Sequence, residues 1–111
     1  MGEIYKITQK FSKKCYIGQT ILISSEGRIM GYKKRWKRHI QNAERNYKGG
    51  CPVLENAIRK YGEYNFDVEC LKKCKIDELN YYEKVYMIEF NSLVPNGYNN
   101  IRKKIRTSNR I

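Results

Sequence analysis

Two short stretches of alternating polar and apolar residues open the chain and predict a β-hairpin. Glu3–Thr8 and Lys14–Gly18 contain β-branched and aromatic residues, and a short polar segment joins them. Each strand carries one tyrosine, Tyr5 or Tyr16, and the two can face the same side because strand side chains repeat every two residues. The pattern leaves the strand register open. A third alternating stretch, Asn65–Lys72, predicts another strand.

Three stretches place apolar residues three and four positions apart and predict amphipathic helices. They span Tyr32–Tyr47, Cys51–Tyr61 and Glu78–Phe90. Pro52 suits the first turn of the second helix, and Asp77 is placed to cap the third. The predicted apolar faces of the first two helices comprise Tyr32, Trp36, His39, Ile40, Ala43 and Tyr47, and then Leu54, Ala57, Ile58 and Tyr61.

The order of these elements, β-β-α-α-β-α, predicts an α+β fold with a three-stranded antiparallel sheet flanked by three helices. A chain of 111 residues suits one domain with one core. We expect this domain to span residues 1–100, and residues 101–111 to form a basic C-terminal tail or the start of a linker. Residues 20–31 form a connection rich in turn-favouring residues, whose role the pattern leaves open.

The chain is strongly basic, with 23 Lys and Arg against 11 Asp and Glu and a formal net charge of +12. Five of the basic residues lie in the last eleven positions, and the remainder of the chain is still cationic. A polyanionic partner is expected, and nucleic acid is the commonest one. The composition also fits a soluble basic protein that has no polyanionic partner. A structural module that binds only protein would have no need of this positive charge.

The four cysteines stand at positions 15, 51, 70 and 74, with no apolar leader before them and no apolar run of about 18 residues to cross a membrane. We therefore expect reduced thiols in an intracellular protein, in the cytoplasm or nucleus of a host cell, with a monomer as the default state. Zinc sites usually combine paired cysteines with a second pair or with two histidines. This chain has one histidine, and three residues separate Cys70 from Cys74, so the spacing disfavours structural zinc.

Glu83 is the polar residue that the helical pattern explains least. It lies four residues after Leu79 and four before Met87, on the apolar face of the last predicted helix. A buried carboxylate is costly unless something pairs with it. Two interpretations stay open. One is a buried ion pair, with Arg35 as the candidate partner. The other is a ligand for magnesium, which proteins commonly hold through one or two carboxylates, water and a phosphate.

Arg35 and His39 lie one turn apart on the first predicted helix. Arg35 stands at the rim of the apolar stripe, where its guanidinium could be a solvated charge or a clamp on a phosphate. A single buried histidine such as His39 is more often a core residue than a catalyst. None of these residues, and neither strand tyrosine, is a specific signal alone.

Together, and in this order, they make the sequence resemble the GIY-YIG nuclease family, most closely the catalytic domains of phage and viral homing-type endonucleases. The resemblance covers residues 2–100. The matching positions are Glu3-Ile4-Tyr5, Tyr16-Ile17-Gly18, Arg35, His39, Glu83 and the NGYN sequence that ends at Asn99. A glutamate, Glu3, replaces the first glycine, and we expect its side chain to point outward. A second histidine found in some relatives has no counterpart near residues 49–52.

The resemblance implies a magnesium-dependent endonuclease that hydrolyses DNA phosphodiester bonds, with Mn²⁺ as a substitute ion. Tyr5 and Tyr16 would border the attacking water, and one of them, by preference Tyr5, would act as or assist the general base. Because an unperturbed tyrosine has a pKa of about 10, cations would have to lower it, and Arg35, His39 and the metal would supply them.

The remaining roles also follow from the resemblance. Arg35 would neutralise charge on the phosphoryl oxygens. Glu83 would hold the single metal ion. Asn99 would fix the geometry of the site. Non-specific contacts to DNA phosphates are expected from Lys14, Lys33, Lys34, Arg38, Lys103 and Lys104. The alternative is a catalytically silent nucleic-acid-binding module, whose binding would be sensitive to salt and indifferent to magnesium.

Overall fold

The computed structural model describes residues 1–47 and 50–100. The strands are β1 (Gly2–Gln9), β2 (Cys15–Ile21) and β3 (Phe66–Cys74), and the helices are α1 (Tyr32–Arg45), α2 (Pro52–Tyr61) and α3 (Leu79–Glu89). Short 3₁₀ turns, Glu63–Asn65 and Ile76–Glu78, precede β3 and α3. The predicted α+β fold, with three strands and three helices in this order, is confirmed. The predicted tail at residues 101–111 lies outside the described residues.

The central strand is β1, since the sheet order is β2-β1-β3 and both pairings are antiparallel. Helices cover both faces of the sheet, which is why β1 is buried along most of its length. Tyr5 and Ile7 pack on one face with residues of α1 and α2. Ile4 packs on the other face with Ile17 of β2 and Met87 of α3.

The register of the hairpin settles which way the two tyrosines point. Tyr5 lies opposite Gly18 and Ile7 lies opposite Tyr16. Residues directly opposite each other in an antiparallel pair share a face, and so do residues two apart on one strand. Tyr5 and Tyr16 therefore both face α1 and α2.

Several predicted boundaries differ from the structure at their ends. β2 runs three residues past Gly18, because pairing with β1 continues to Ile21 opposite Gly2. α1 stops at Arg45, and the next residue adopts left-handed backbone angles that end the helix. Tyr47 and Tyr61, which we expected on apolar helix faces, are 56% and 40% exposed.

The start of α3 also differs from the prediction. Asp77 does not cap the helix with its side chain; it lies inside the 3₁₀ turn Ile76–Glu78 that leads into α3. The carboxylate of Glu78 instead accepts a hydrogen bond from the Lys75 N–H at 3.0 Å, which closes this turn on itself.

Glu3 was expected to point outward, and that expectation is wrong. Its side chain is 4% exposed, and Oε1 accepts a hydrogen bond of 2.9 Å from the backbone N–H of Tyr32, the first residue of α1. The first N–H groups of a helix lack partners within the helix and carry partial positive charge, so a carboxylate stabilises them. Glu3 therefore anchors the start of α1 to the central strand.

Two expectations about the whole chain can be compared with the structure. In the described part of the chain, no helix is long and apolar enough to cross a membrane. All four cysteines carry free thiols.

Candidate active site

The two tyrosines lie side by side on the sheet face that α1 and α2 cover. The ring centroids of Tyr5 and Tyr16 are 6.3 Å apart. A Cβ atom at Gly18, opposite Tyr5, would lie 2.4 Å from Cζ of the Tyr5 ring. A larger residue would displace that ring, so the glycine of the second motif is required by the tyrosine of the first.

α1 brings an imidazole onto these two rings. His39 is 1% exposed, and its Nε2 atom lies 3.0 Å from the hydroxyl oxygen of Tyr5. Its ring meets Tyr16 edge to face, with the centroids 5.5 Å apart. His39 lies two turns into α1, and the contact of Glu3 with the first turn therefore helps to fix its position.

Burial controls the protonation of this ring cluster. Burial raises the pKa of Tyr5 to about 12, and the neighbouring Arg35 guanidinium opposes this only in part. Burial, followed by the proximity of Tyr5, raises the pKa of Tyr16 well above its usual value. Burial and then the charge of Arg35 lower the pKa of His39 to about 4, although Glu55 opposes the shift. At neutral pH both phenols are protonated and the imidazole is neutral. In the tautomer that carries its proton on Nδ1, the nitrogen beside Glu55, the Tyr5 hydroxyl donates and Nε2 accepts.

Of the two side chains expected to lower the pKa of Tyr5 by their charge, Arg35 acts in that direction and His39 does not. His39 is neutral at neutral pH, and burial outweighs the charge of Arg35. The Tyr5 hydroxyl instead has a neutral nitrogen beside it that can take its proton.

Arg35 keeps its charge next to the phenols. Burial lowers the pKa of Arg35, but the neighbouring Tyr5 hydroxyl and then Tyr16 raise it, and the net shift is upward. The half-buried side chain also lines a cavity, so a fixed positive charge faces this space.

This cavity, of about 290 Å³, lies at the outer edge of β2. Tyr16 and Gln19 line it from opposite faces of the sheet, because they are three positions apart on one strand. Side chains from both sides of the domain therefore meet in one space. The polar and sulfur-bearing side chains that line it are Tyr16, Gln19, Arg35, Cys51, Glu83, Tyr98, Asn99 and Asn100.

Glu83 reaches the cavity from α3. The side chain is buried, as the sequence pattern predicted. Its Oε1 accepts a hydrogen bond of 3.2 Å from the amide of Gln19, which also donates to Asn80 at 2.8 Å. A strand residue thus holds the carboxylate of Glu83 in a defined orientation.

Asn99 ties the loop after α3 to the edge of the sheet. Its amide accepts from the N–H of Ile17 at 2.8 Å and donates to the C=O of the same residue at 2.9 Å. Beside it, the N–H of Tyr98 donates to the C=O of Cys15 at 2.9 Å. The loop therefore completes the edge of β2 next to Tyr16.

The family model of the SegE GIY-YIG domain matches residues 1–103. The chain belongs to this GIY-YIG endonuclease family. Two solved structures are similar to it. The catalytic domain of the homing endonuclease I-TevI has a TM-score of 0.70 and 26% identity, over 89% of this chain and 97% of that one. A mutant of the same domain, named an intron endonuclease, gives the same values over 93% of its chain. The comparison with curated proteins gives no match.

The GIY-YIG domain brings its predicted catalytic residues together in two groups. Tyr5 and His39 are buried and in contact. Tyr16, Arg35, Glu83 and Asn99 line the cavity beside them. Of the predicted phosphate contacts, Lys14, Lys33, Lys34 and Arg38 are exposed, while Lys103 and Lys104 lie outside the described residues.

Glu55 is the residue of this GIY-YIG domain that the sequence pattern should have revealed and did not. It is 1% exposed, and its Oε2 accepts hydrogen bonds from the N–H of Cys51 at 3.1 Å and the amide of Asn42 at 3.3 Å. The same oxygen lies 3.6 Å from Nδ1 of His39. The signal was present in the sequence. Glu55 stands three residues before Ile58, on the buried side of α2, just as Glu83 lies on the buried side of α3.

Proposed function

We propose that this domain is a metal-dependent endonuclease that cleaves phosphodiester bonds of DNA. The observation that carries the proposal is one cavity at which an arginine from α1 and a buried glutamate from α3 meet beside two tyrosines. A guanidinium suits a phosphate and a carboxylate suits a divalent cation. A module that only binds protein needs neither. The residues concerned are Tyr5, Tyr16, Arg35 and Glu83.

DNA is the proposed substrate for two reasons. The chain carries a net charge of +12, and the similar structures are named as those of a homing endonuclease and an intron endonuclease. The exposed cations would supply contacts to phosphates, which give affinity and little sequence preference. These are Lys14, Lys33, Lys34 and Arg38.

Tyr5 is the proposed general base, with His39 as the acceptor of its proton. As the attacking water gives a proton to the Tyr5 oxygen, the hydroxyl proton of Tyr5 passes to Nε2 of His39 across their 3.0 Å contact. The transfer spares Tyr5 from becoming a phenolate, which its pKa of about 12 disfavours. Glu55, with one oxygen 3.6 Å from Nδ1, stabilises the imidazolium that forms. Tyr16, on the cavity wall, orients the water.

Arg35 and Asn99 would act on the phosphate and on the frame around it. Arg35 keeps its charge and lines the cavity, so it neutralises charge that develops on the phosphoryl oxygens. Asn99 holds the backbone of Ile17 and thereby fixes the neighbouring Tyr16.

Glu83 fits the metal ion that the family implies. It offers a buried carboxylate on a cavity of about 290 Å³, several times the roughly 30 Å³ of one water, so waters and a phosphate can complete the shell. When bound, Mg²⁺ would polarise the phosphate and stabilise the leaving 3′ oxygen. Glu83 would hold this ion, and Gln19 would orient the carboxylate.

The test is cleavage of supercoiled, linear and branched DNA with Mg²⁺, with Mn²⁺ and with a chelator. The wild-type protein should nick or linearise plasmid DNA in a metal-dependent manner. Glu83→Gln and Arg35→Ala should each reduce the rate by about 100-fold or more, because the first weakens the hold on the metal ion and the second removes the positive charge that stabilises the transition state. Glu89→Gln, at an exposed position on the same helix as Glu83, is the matched control and should cleave normally. Cleavage that survives both site substitutions would refute the assignment.

A catalytically silent nucleic-acid-binding module is the second candidate. The positive charge supports binding equally well, so DNA affinity is measured alongside cleavage. A silent binder would show salt-sensitive binding that ignores Mg²⁺ and Glu83→Gln, with no cleavage of any DNA form.

A further inference from the structure

Three side chains with metal-binding atoms converge between α1 and α2. They are His39 on α1, Cys51 just before α2, and Glu55 on α2. One ring nitrogen of His39, Sγ of Cys51 and one carboxylate oxygen of Glu55 all lie within 4.8 Å of one another. Nδ1 is the nitrogen on the side of Glu55, 3.6 Å from its Oε2. This cluster lies on the opposite side of the imidazole from the Tyr5 contact, which uses Nε2.

Two of these side chains contain buried atoms that nothing in the described part of the chain satisfies. Nδ1 of His39 and Oε1 of Glu55 are inaccessible to solvent and have no hydrogen-bond partner among residues 1–47 and 50–100. The other oxygen of Glu55 is occupied by Cys51 N–H and Asn42, and at 3.6 Å from Nδ1 it is too far for a good hydrogen bond. Buried polar atoms are normally satisfied, so two such atoms on neighbouring side chains point to a missing partner.

We propose that His39, Cys51 and Glu55 bind a single zinc-type ion, with a water in the fourth position. Imidazole, thiolate and carboxylate are zinc ligands, whereas magnesium prefers oxygen alone. In a tetrahedral site with bonds of about 2.0–2.3 Å the ligand atoms are separated by up to about 3.8 Å, so a small inward movement suffices. Cys51 lines the cavity and supplies the route by which the ion and its water enter. On binding, the Cys51 thiol releases its proton to solvent.

The bound ion would switch off cleavage. This consequence rests on the proposed function, whereas the metal site itself does not depend on that function. A metal on Nδ1 leaves the single proton of the neutral imidazole on Nε2. That nitrogen then donates to Tyr5 and can no longer accept its proton. The ion also takes the Cys51 sulfur, which lies 3.2 Å from the Tyr16 hydroxyl, so it alters the environment of both phenols.

Cobalt(II), added alone to the metal-free protein, tests the site without reference to cleavage. A thiolate bound to tetrahedral Co²⁺ gives a sulfur-to-cobalt charge-transfer band, and we expect one ion per chain that Zn²⁺ displaces. Cys51→Ser should abolish the band, and Glu55→Gln should weaken binding at least 10-fold, since metal sites depend on each ligand. Cys70→Ser, which changes a thiol on β3 outside the cluster, is the matched control and should keep the band. Circular dichroism of each metal-free variant checks that it folds.

The absence of a charge-transfer band in the wild-type protein, or its survival in Cys51→Ser, would overturn the site. The inhibitory role is tested by adding Zn²⁺ to cleavage reactions that contain excess Mg²⁺. Each variant is compared with its own zinc-free rate, and inhibition should occur in the wild type and Cys70→Ser and be lost in Cys51→Ser. Cobalt binding with cleavage that ignores Zn²⁺ would refute the switch. A domain that binds cobalt but never cleaves DNA would refute the proposed nuclease and leave the metal site standing.

Discussion

Replacing Asn99 with alanine removes both hydrogen bonds that tie the loop after α3 to the edge of β2. The lost bonds join the side chain to the N–H and C=O of Ile17 at 2.8 and 2.9 Å, and both are buried. At about 0.5–1.5 kcal/mol of net stability for each bond, their loss should destabilise the domain by about 1–3 kcal/mol. If neither backbone group regains a partner, the cost is instead about 1–3 kcal/mol for each group.

Urea unfolding measures this effect well, because the single tryptophan, Trp36, packs against the core between the sheet and α1. The midpoint of unfolding should fall while the dependence on urea stays unchanged, since the folded state buries the same surface. Asn96→Ala is the matched control. Asn96 lies in the same loop, is exposed, and makes one long contact of 3.4 Å with Asn91. Its removal should change stability by less than about 0.5 kcal/mol.

Asn99→Asp separates the geometry of the two bonds from the loss of bulk. This variant can still accept from the N–H of Ile17, but it sets a second oxygen against the C=O that the amide had satisfied. We therefore expect it to be no more stable than Asn99→Ala at neutral pH. If Asn99→Ala matched Asn96→Ala in stability, the two bonds would not hold the edge of β2, and the role of Asn99 in fixing Tyr16 would be refuted.

Three other outcomes follow from the structure. Gly18→Ala should cost about 1–3 kcal/mol of stability in urea unfolding, because its Cβ would lie 2.4 Å from the Tyr5 ring; wild-type stability would contradict that packing. Since the pKa of His39 is lowered from 6.5 to about 4, the folded state binds fewer protons than the unfolded state between these values. His39 therefore makes stability fall as pH drops from 6.5 towards 4, and NMR titration of this sole histidine should show its midpoint near 4. Lys33→Ala with Lys34→Ala should reduce the salt dependence of DNA binding by about one unit of slope for each lysine, measured by fluorescence anisotropy.

The elements of the fold could be predicted from the sequence because apolar periodicity records which side of each strand or helix is buried. Their ends could not, because tertiary contacts decide them. β2 continues to Ile21 through polar residues because β1 offers a partner as far as Gly2. Glu3 illustrates the same limit: a charged residue near the start of a strand is expected to face solvent, yet α1 begins where its carboxylate can cap it.

The cluster at His39 shows what spacing along the chain leaves out. Cysteine and histidine spacing along the chain argues against zinc, because a single histidine stands far from the closest pair of cysteines. In space the pertinent thiol is Cys51, which the approach of α2 to α1 brings beside the imidazole. The third member, Glu55, could have been found by the criterion that identified Glu83, a carboxylate on the buried side of an amphipathic helix.

The position of β2 at the edge of the sheet explains why the site could not be assembled from periodicity alone. Arg35 and Glu83 come from helices on opposite faces, and a central strand would keep them apart. They line one cavity because β2 is the edge strand of the sheet. Tyr16 and Gln19, on the two faces of this strand, line the same cavity. An additional strand paired with this edge would fill the cavity. The loop that contains Asn99 instead pairs with this edge at Ile17 and Cys15, and the cavity that Arg35 and Glu83 line lies beside it.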